Sequence, residues 1–364
     1  MADIHTLLRL LSIPGIGSQK IRALANYFSP LSEVFNASAQ DLLRVPGIDK
    51  TLCLRILNHS NDFHYVDEQL ESAEKNGITI LTSFDKDYPL LLKNIYDPPI
   101  LLFLKGSVQI LQQPTIAIVG TRHPTSYGRS VAEQFASELA QRNICIVSGL
   151  ARGIDTCAHT AALNAKGMTC AVIGSGIDVP YPPENKKLLE RICEQGIVIS
   201  EFPMGTIPDA PHFPRRNRII SGVSIAVIVV ESDVDGGAMI TANFANDQNR
   251  DVFAVPGSIR EKKSAGTHRL IKEQRAKLVD SVADILAELN MQLSLPLDIP
   301  PTPQPKLTDA EEKIYSLLTA SPQHIDIIAE DAGISTSDAL VTLLSLEFKN
   351  IVRQLPGKYF VRTE

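Results

Sequence analysis

The sequence holds few cysteines and no pattern among them. The five (Cys53, Cys145, Cys157, Cys170 and Cys193) include no C-x-x-C pair and no metal-ligand spacing, so no metal site is expected. Several fall in strand or helix patterns and read as small apolar core residues. They point to a reducing compartment. Positive charge is not in excess either. The 364 residues carry 35 Lys+Arg against 41 Asp+Glu, a formal net charge of −6. Any nucleic-acid role therefore has to come from a local basic patch, not from bulk charge. No stretch approaches the roughly 20 apolar residues that a membrane span needs. Arg9 interrupts the apolar stretch near the amino terminus, and no basic segment precedes it. A soluble cytoplasmic protein with no membrane partner is expected, of about two or three domains for this length.

Two nucleotide fingerprints are also missing. The turn after the first strong strand pattern reads Gly120-Thr121-Arg122-His123-Pro124. That is neither G-x-G-x-x-G nor G-x-x-x-x-G-K-[ST]. What remains is a glycine turn, a hydroxyl, an arginine and a following helix start near Tyr127-Gly128. These could hold one phosphate, or Arg122 could serve only a surface ion pair. No cofactor is expected.

What is present is a rhythm of apolar runs between Thr115 and Val255. The runs are Thr115–Val119, Ile144–Val147, Thr169–Ile173, Ile197–Ser200, Ile225–Val230 and Val252–Val255. They lack alternation, as strands covered on both faces do. Helix-patterned segments separate them, which predicts right-handed crossovers and a doubly wound α/β sheet. Ligands of such sheets sit at the strands' carboxyl ends, where this sequence places its glycines and arginines.

The loops differ in what they offer. Ser148-Gly149-Leu150-Ala151-Arg152-Gly153-Ile154-Asp155 precedes an alanine-rich helix. Asp155 and His159 stand four apart on it. They are either a base and its orienter, or a helix-start carboxylate and a packed histidine. Gly174-Ser175-Gly176 permits close backbone approach. Lys186 and Lys187 then open a helix, where the dipole favours acids; a bound anion would relieve that. Phe213-Pro214-Arg215-Arg216-Asn217-Arg218 places three arginines in another opening turn, beside an aromatic ring. This is the sharpest functional signal in the chain: phosphate clamps and a stacking face. One arginine could instead lock the fold to Glu201 or Glu231. Gly236-Gly237 could present N–H groups to a phosphate, against the charges of Asp233 and Asp235.

The flanks read differently. Near the amino terminus, helix patterns surround Pro14-Gly15-Ile16-Gly17, with an echo at Val45-Pro46-Gly47-Ile48-Asp49. Such glycine hairpins either hold a DNA phosphate or only pack; in the echo, Asp49 would repel phosphate. From Phe63 to about Leu111 the pattern is less regular, with an extra strand near Ile100–Phe103. Leu295–Pro305 is proline-rich and reads as a semi-rigid linker. Beyond it, Asp309–Thr319, His324–Asp331 and Ser335–Lys349 read as helices. Ile351–Gln354 and Lys358–Val361 read as a hairpin around Pro356-Gly357. Three helices and a wing suggest a winged helix. Its third helix carries Asp338 and Glu347, and Lys349 only at its end, which favours a protein-contact role over a DNA groove.

Taken together, the loops resemble the DNA-processing protein A (DprA/Smf) family. The resemblance rests on Ile118–Arg122, Ser148–Asp155, Tyr181-Pro182-Pro183-Glu184-Asn185, Ser200-Glu201-Phe202-Pro203, Phe213–Ile220 and Ala254-Val255-Pro256-Gly257, in order across the central domain. It implies an extended Rossmann-like, mostly parallel sheet (66–290). An N-terminal helix-hairpin-helix (SAM-like) domain (1–65) would precede it. A linker (291–306) and a C-terminal winged-helix domain (307–364) would follow. It also implies a homodimer without catalytic residues that binds single-stranded DNA and loads RecA recombinase during natural transformation in competence. Carried over by motif, the DNA-binding residues would be Gly120, Arg122, Gly149, Arg152, Gly174, Lys186, Phe213, Arg215, Arg216, Asn217 and Arg218. Two departures stand out. Gly236-Gly237-Ala238-Met239-Ile240-Thr241 replaces a Ser-Gly-Ser-Leu-Ile-Thr type stretch, and Gln274-Arg275-Ala276 replaces a Gly-Ala pair. The competing reading is an enzyme of the nucleoside-monophosphate glycosidase type, with Glu201 or Glu231 as acid or base. It is an analogy between folds.

Overall fold

The computed structural model describes residues 3–59, 63–289, 307–318, 323–349, 351–355 and 357–362. Two compact units divide the chain, Met1–Leu295 and Pro296–Glu364. The expected proline-rich linker lies outside the described residues.

A sheet of nine strands is the frame of the first unit. The strands are β1 (Thr79–Thr82), β2 (Leu101–Gly106), β3 (Thr115–Val119), β4 (Cys145–Ser148), β5 (Thr169–Val172), β6 (Ile197–Ser200), β7 (Ala226–Val229), β8 (Asp251–Ala254) and β9 (Lys277–Leu278). Their order is β1-β2-β6-β5-β4-β3-β7-β8-β9. β1 pairs antiparallel with β2, and β2 antiparallel with β6; every other pairing is parallel. This is the mostly parallel, doubly wound sheet that the apolar runs predict. The six runs become β3 to β8, each displaced by at most a residue or so at its ends. β1 lies in the stretch whose pattern is irregular, and so does the helix His64–Lys75.

Alternation within β3 shows how both faces are covered. Ile116 and Ile118 pack with Ala132, Phe135, Ala136 and Ala158 on one side of the sheet. Ala117 and Val119 pack with Ile219, Ile220, Met239 and Ala242 on the other. A strand buried on both faces has no polar face to show, hence its unbroken apolar run.

The amino-terminal helices share a core with the sheet unit. Leu7, Leu8, Ile21, Leu24, Ile56 and Val66 belong to one buried cluster with Ile173, Ile177, Leu189, Ile192 and Met204. Both hairpins form: Gly15 has φ +90 and Gly47 φ +84. The cations beside them are bonded to hairpin backbone, Lys20 Nζ donating to the Gly15 carbonyl at 2.7 Å and Arg55 to the Pro14 carbonyl at 2.7 Å. At the second hairpin the Asp49 carboxylate accepts from the Leu52 amide at 2.8 Å. An internal carboxylate therefore already caps that helix.

The second unit is a winged helix. Its helices are Asp309–Leu317, Ile325–Ala332 and Thr336–Phe348. A three-stranded sheet joins Tyr359–Arg362, in the middle, to Gln323–His324 and Val352–Leu355. Ser335 caps the third helix, accepting from the Asp338 amide at 3.2 Å. Lys349 donates to Glu311 at 2.6 Å. With Ser345 and the Thr308 amide, that contact holds the Glu311 carboxyl down at about 2.

Candidate nucleic-acid interface

The strand order reverses direction at β3. The chain runs outward from it through β4, β5 and β6 on one side, and through β7, β8 and β9 on the other. The loops leaving the neighbours β3 and β7 therefore diverge, and a crevice opens at their carboxyl ends. A cavity of about 720 Å³ occupies it. Its lining includes Gly120, Thr121 and Arg122 after β3, Asp155 after β4, and Tyr181 after β5. Pro208–Ala210, Phe213, Arg216 and Asn217 follow β6, and Ser232, Asp233, Gly236 and Gly237 follow β7. A smaller recess adjoins it, lined by Gly149, Arg152 and Pro182 as well as Arg122, Tyr181, Phe213 and Arg216.

Arg122 is exposed at the cavity mouth, its guanidinium 5.7 Å from the centroid of the Phe213 ring. Phe213 in turn lies 5.6 Å from Tyr181, ring to ring. The loop that carries Arg122 is fixed by Gly153, whose φ is +79. A Cβ there would stand 2.7 Å from the Arg122 carbonyl carbon, so glycine lets the two loops touch.

Arg216 forms the floor. Only 4% of it is exposed. It donates to the carbonyls of Gly149, at 2.6 Å, and Val172. Burial lowers its pKa to about 10, with Asp155 opposing that shift, so it stays charged at neutral pH. Gly149 makes room for it, since a Cβ there would lie 2.6 Å from the Arg216 Cζ. Asp155, its own pKa raised by burial, holds the same turn by accepting from the Gly149 and Ala151 amides at 3.1 and 3.3 Å. His159 points elsewhere, Nδ1 lying 2.7 Å from the Thr169 hydroxyl. Burial, then the nearby Arg216 charge, pushes its pKa down to about 3. No Asp155–His159 hydrogen bond is present among the described residues.

The three arginines of the helix His212–Gly222 part company. Arg216 faces the cavity. Arg215 and Arg218 turn the other way, to Glu201, at 3.0 and 2.6 Å. Helical spacing explains this: residues 215 and 218 share a face, and 216 lies a hundred degrees off it. Asn217 reaches across to the Gly237 carbonyl at 3.3 Å. Arg152 pairs with Glu184 beside the smaller recess. Gly174 touches the Phe213 ring, since a Cβ there would lie 3.2 Å from its Cδ1. Lys186 is exposed on the helix Lys186–Gln195 and lines neither cavity.

The helix start after Gly120 is also taken. Glu231 is buried and accepts from the Thr125 amide at 2.9 Å and from the Thr125 hydroxyl. Its carboxylate fills the amino end of the helix Ser126–Ala140, where a phosphate was anticipated. Gly128 leaves it space, a Cβ there lying 2.8 Å from Glu231 Oε1. The Gly237–Asp247 helix start, by contrast, opens on the cavity. Neither Glu201 nor Glu231 lines it. Tyr181, quoted from sequence only as part of a family motif, lines it, as do Pro208, Asp209 and Ser232, which the sequence does not mark as site residues. Their common signal is position, just past the carboxyl ends of β5, β6 and β7. No group of metal-ligating residues and no helix long and apolar enough to cross a membrane occurs among the described residues.

Comparisons with known proteins agree with this frame. The family model for DNA recombination-mediator protein A matches residues 79–290, that for the DprA winged helix domain 299–358, and that for the SAM-like helix-hairpin-helix tandem 7–62. Protein Smf of Escherichia coli is 34% identical over 365 residues, covering 99% of this chain and 96% of that protein. The crystal structure of DNA processing protein A from Streptococcus pneumoniae is 38% identical and superposes with a TM-score of 0.71, covering 79% of this chain and 99% of its own. The protein from Helicobacter pylori, described for its single-stranded DNA binding mode, is 29% identical with a TM-score of 0.54, over 58% of this chain and 95% of that one. A switch-point cavity, a winged-helix unit and near full-length similarity converge: this chain belongs to the DNA recombination-mediator protein A family, the DprA/Smf proteins.

Proposed function

We propose that the cavity is a single-stranded DNA site and that the protein acts as a mediator with no chemical step of its own. In this reading it is a cytoplasmic homodimer that protects incoming DNA and helps load RecA recombinase during natural transformation. The observation that carries the DNA assignment is the pairing of Arg122 with Phe213 above the buried charge of Arg216, at the sheet's switch point. A cation at the mouth meets a phosphate, the ring offers a base its face, and the floor charge biases the whole cavity toward anions. The Helicobacter pylori relative, described as binding single-stranded DNA, supports the substrate class.

The DNA-contacting set proposed is Arg122, Phe213 and Asn217, with backbone at Gly120, and Arg216 supplies the charged floor beneath them. Arg152 and Gly149 border the smaller recess. Gly174 backs Phe213. Arg215, Arg218 and Lys186 serve the surroundings. The carboxylates do not suit a glycosidase reading: Glu201 is held by two arginines and Glu231 by a helix start. Nor is DNA contact assigned to the winged unit's third helix, whose Lys349 is engaged by Glu311.

Mobility-shift titrations of single- and double-stranded oligonucleotides across a salt series test the proposal. Single strands should bind preferentially and with little sequence preference. Log affinity should fall against log salt with a slope of roughly −0.7 per phosphate contacted. A folded protein that binds neither form, or only duplex, would overturn it.

A further inference from the structure

Two contacts join the amino-terminal helices to two successive segments of the cavity lining, and neither Gln69 nor Arg22 lines the cavity itself. The first is Gln69, on the helix His64–Lys75. Its side chain is buried and grips one backbone residue at both ends. Oε1 accepts from the Met204 amide at 2.9 Å, and Nε2 donates to the Met204 carbonyl at 3.2 Å. Met204 begins the segment that reaches Pro208, Asp209 and Ala210, one wall of the cavity. A side-chain amide that satisfies both polar groups of one buried residue fixes where that residue sits.

The second contact is Arg22, in the helix after the first hairpin. It donates to Asp97 at 2.9 Å and to the Pro98 carbonyl. The other oxygen of Asp97 lies 3.6 Å from Arg218 Nε. Arg218 and Arg215 share Glu201, whose side chain is 2% exposed. An alternating row of charges thus runs from the hairpin layer to the helix that carries Phe213 and Arg216. Leu92 and Ile95 crowd the far end of that helix at Gly222, so segment 90–100 is wedged between the two layers.

We propose that Gln69 and Arg22 are positioning residues for single-strand binding, through which the amino-terminal helices set the two cavity walls. This rests on the DNA reading of the cavity. The physical reason is that each contact ties the amino-terminal layer to a segment otherwise held by bonds within the sheet unit, Gly205 to Asp178 and Arg216 to the Gly149 carbonyl. The segment is irregular backbone. The helix start has no side-chain cap and carries like charges that Glu201 alone only partly balances.

The test uses the full chain in two readouts. Fluorescence anisotropy on labelled oligothymidylate, across a salt series, compares wild type with Gln69→Leu, Arg22→Gln and Arg22→Lys. The first two should weaken binding by roughly two- to tenfold, the weight of one or two hydrogen bonds. The salt slope should not change, because no phosphate contact is lost. Arg22→Lys should restore most of the affinity. Hydrogen exchange without DNA reads the walls directly. Gln69→Leu should speed exchange across 203–211, and Arg22→Gln across 212–222, with unchanged exchange in β3 to β8. Unchanged exchange in those segments overturns the proposal, as does a slope flattened by about 0.7, which would make the residue a phosphate contact. Faster wall exchange in a protein whose wild type binds no single strand keeps the positioning claim and sinks the DNA reading instead.

Discussion

Arg122→Ala and Arg216→Ala should separate binding from stability, although the two arginines line the same cavity. Arg122 is exposed and, among the described residues, has a ring beside it but no carboxylate. Losing it should cost about one phosphate contact. A charge-assisted hydrogen bond, screened by solvent, is worth about 1 kcal/mol here, or roughly a fivefold loss of affinity. The salt slope should flatten by about 0.7, and the unfolding free energy should stay within about 0.5 kcal/mol. Arg216 is the opposite case. It spends its guanidinium on the Gly149 and Val172 carbonyls. Two charge-assisted bonds are worth about 1.5–3 kcal/mol each when lost. Relief of a buried charge returns part of that, which leaves a net destabilisation of about 2–4 kcal/mol. Urea unfolding followed by circular dichroism measures it, at low and high salt; the absence of tryptophan rules out the usual fluorescence probe. Binding should fall too, since the cavity floor collapses. An Arg216→Ala protein with wild-type stability and a slope flattened like that of Arg122→Ala would refute the division of labour drawn from these hydrogen bonds.

Further outcomes follow from the same packing. Gly128→Ala drives a methyl into the Glu231 carboxylate, 2.8 Å from Oε1, and should destabilise the protein by about 1–3 kcal/mol in urea unfolding. His159 has a folded pKa of about 3, against 6.5 when free. The unfolded chain therefore binds the extra proton between those values. Stability is full above pH 6.5 and falls by up to about 1.4 kcal/mol per pH unit as the pH drops toward 3. In His159→Gln that part of the pH dependence should be missing from urea titrations. Glu311 titrates near 2, against 4.5 when free. Its contribution to the winged unit is present above pH 4.5 and lost as pH falls through about 2. Hydrogen exchange of segment 307–349 between those values should show it, and Glu311→Gln should abolish it.

Much of the frame was legible because burial on both faces writes itself into composition. β3 and β6 have the same limits in the pattern and in the structure, since a strand between two helical layers takes apolar residues and only such hydroxyls as Thr115 and Ser200, which donate to backbone carbonyls. The helix His64–Lys75 and β1 were not legible. Each exposes a good part of its surface and gains its order from contacts with residues far along the chain, such as Gln69 with Met204. In the site, the arginine cluster was visible as three charges against a helix dipole. Its partition was not, because which charge meets Glu201 depends on where β6 ends relative to that helix. Glu231 reaching the helix start after Thr125 is likewise a contact across 106 positions, with no local signature.

By itself the sequence determined the sheet, its helical cover, the winged unit and the loops in which function would lie. Periodicity and turn chemistry are local, and they act before any tertiary contact forms. Only the tertiary structure decided which cations face the cavity and which are neutralised inside the protein. That choice is made by carboxylates arriving from other strands, and electrostatic pairing is blind to distance along the chain.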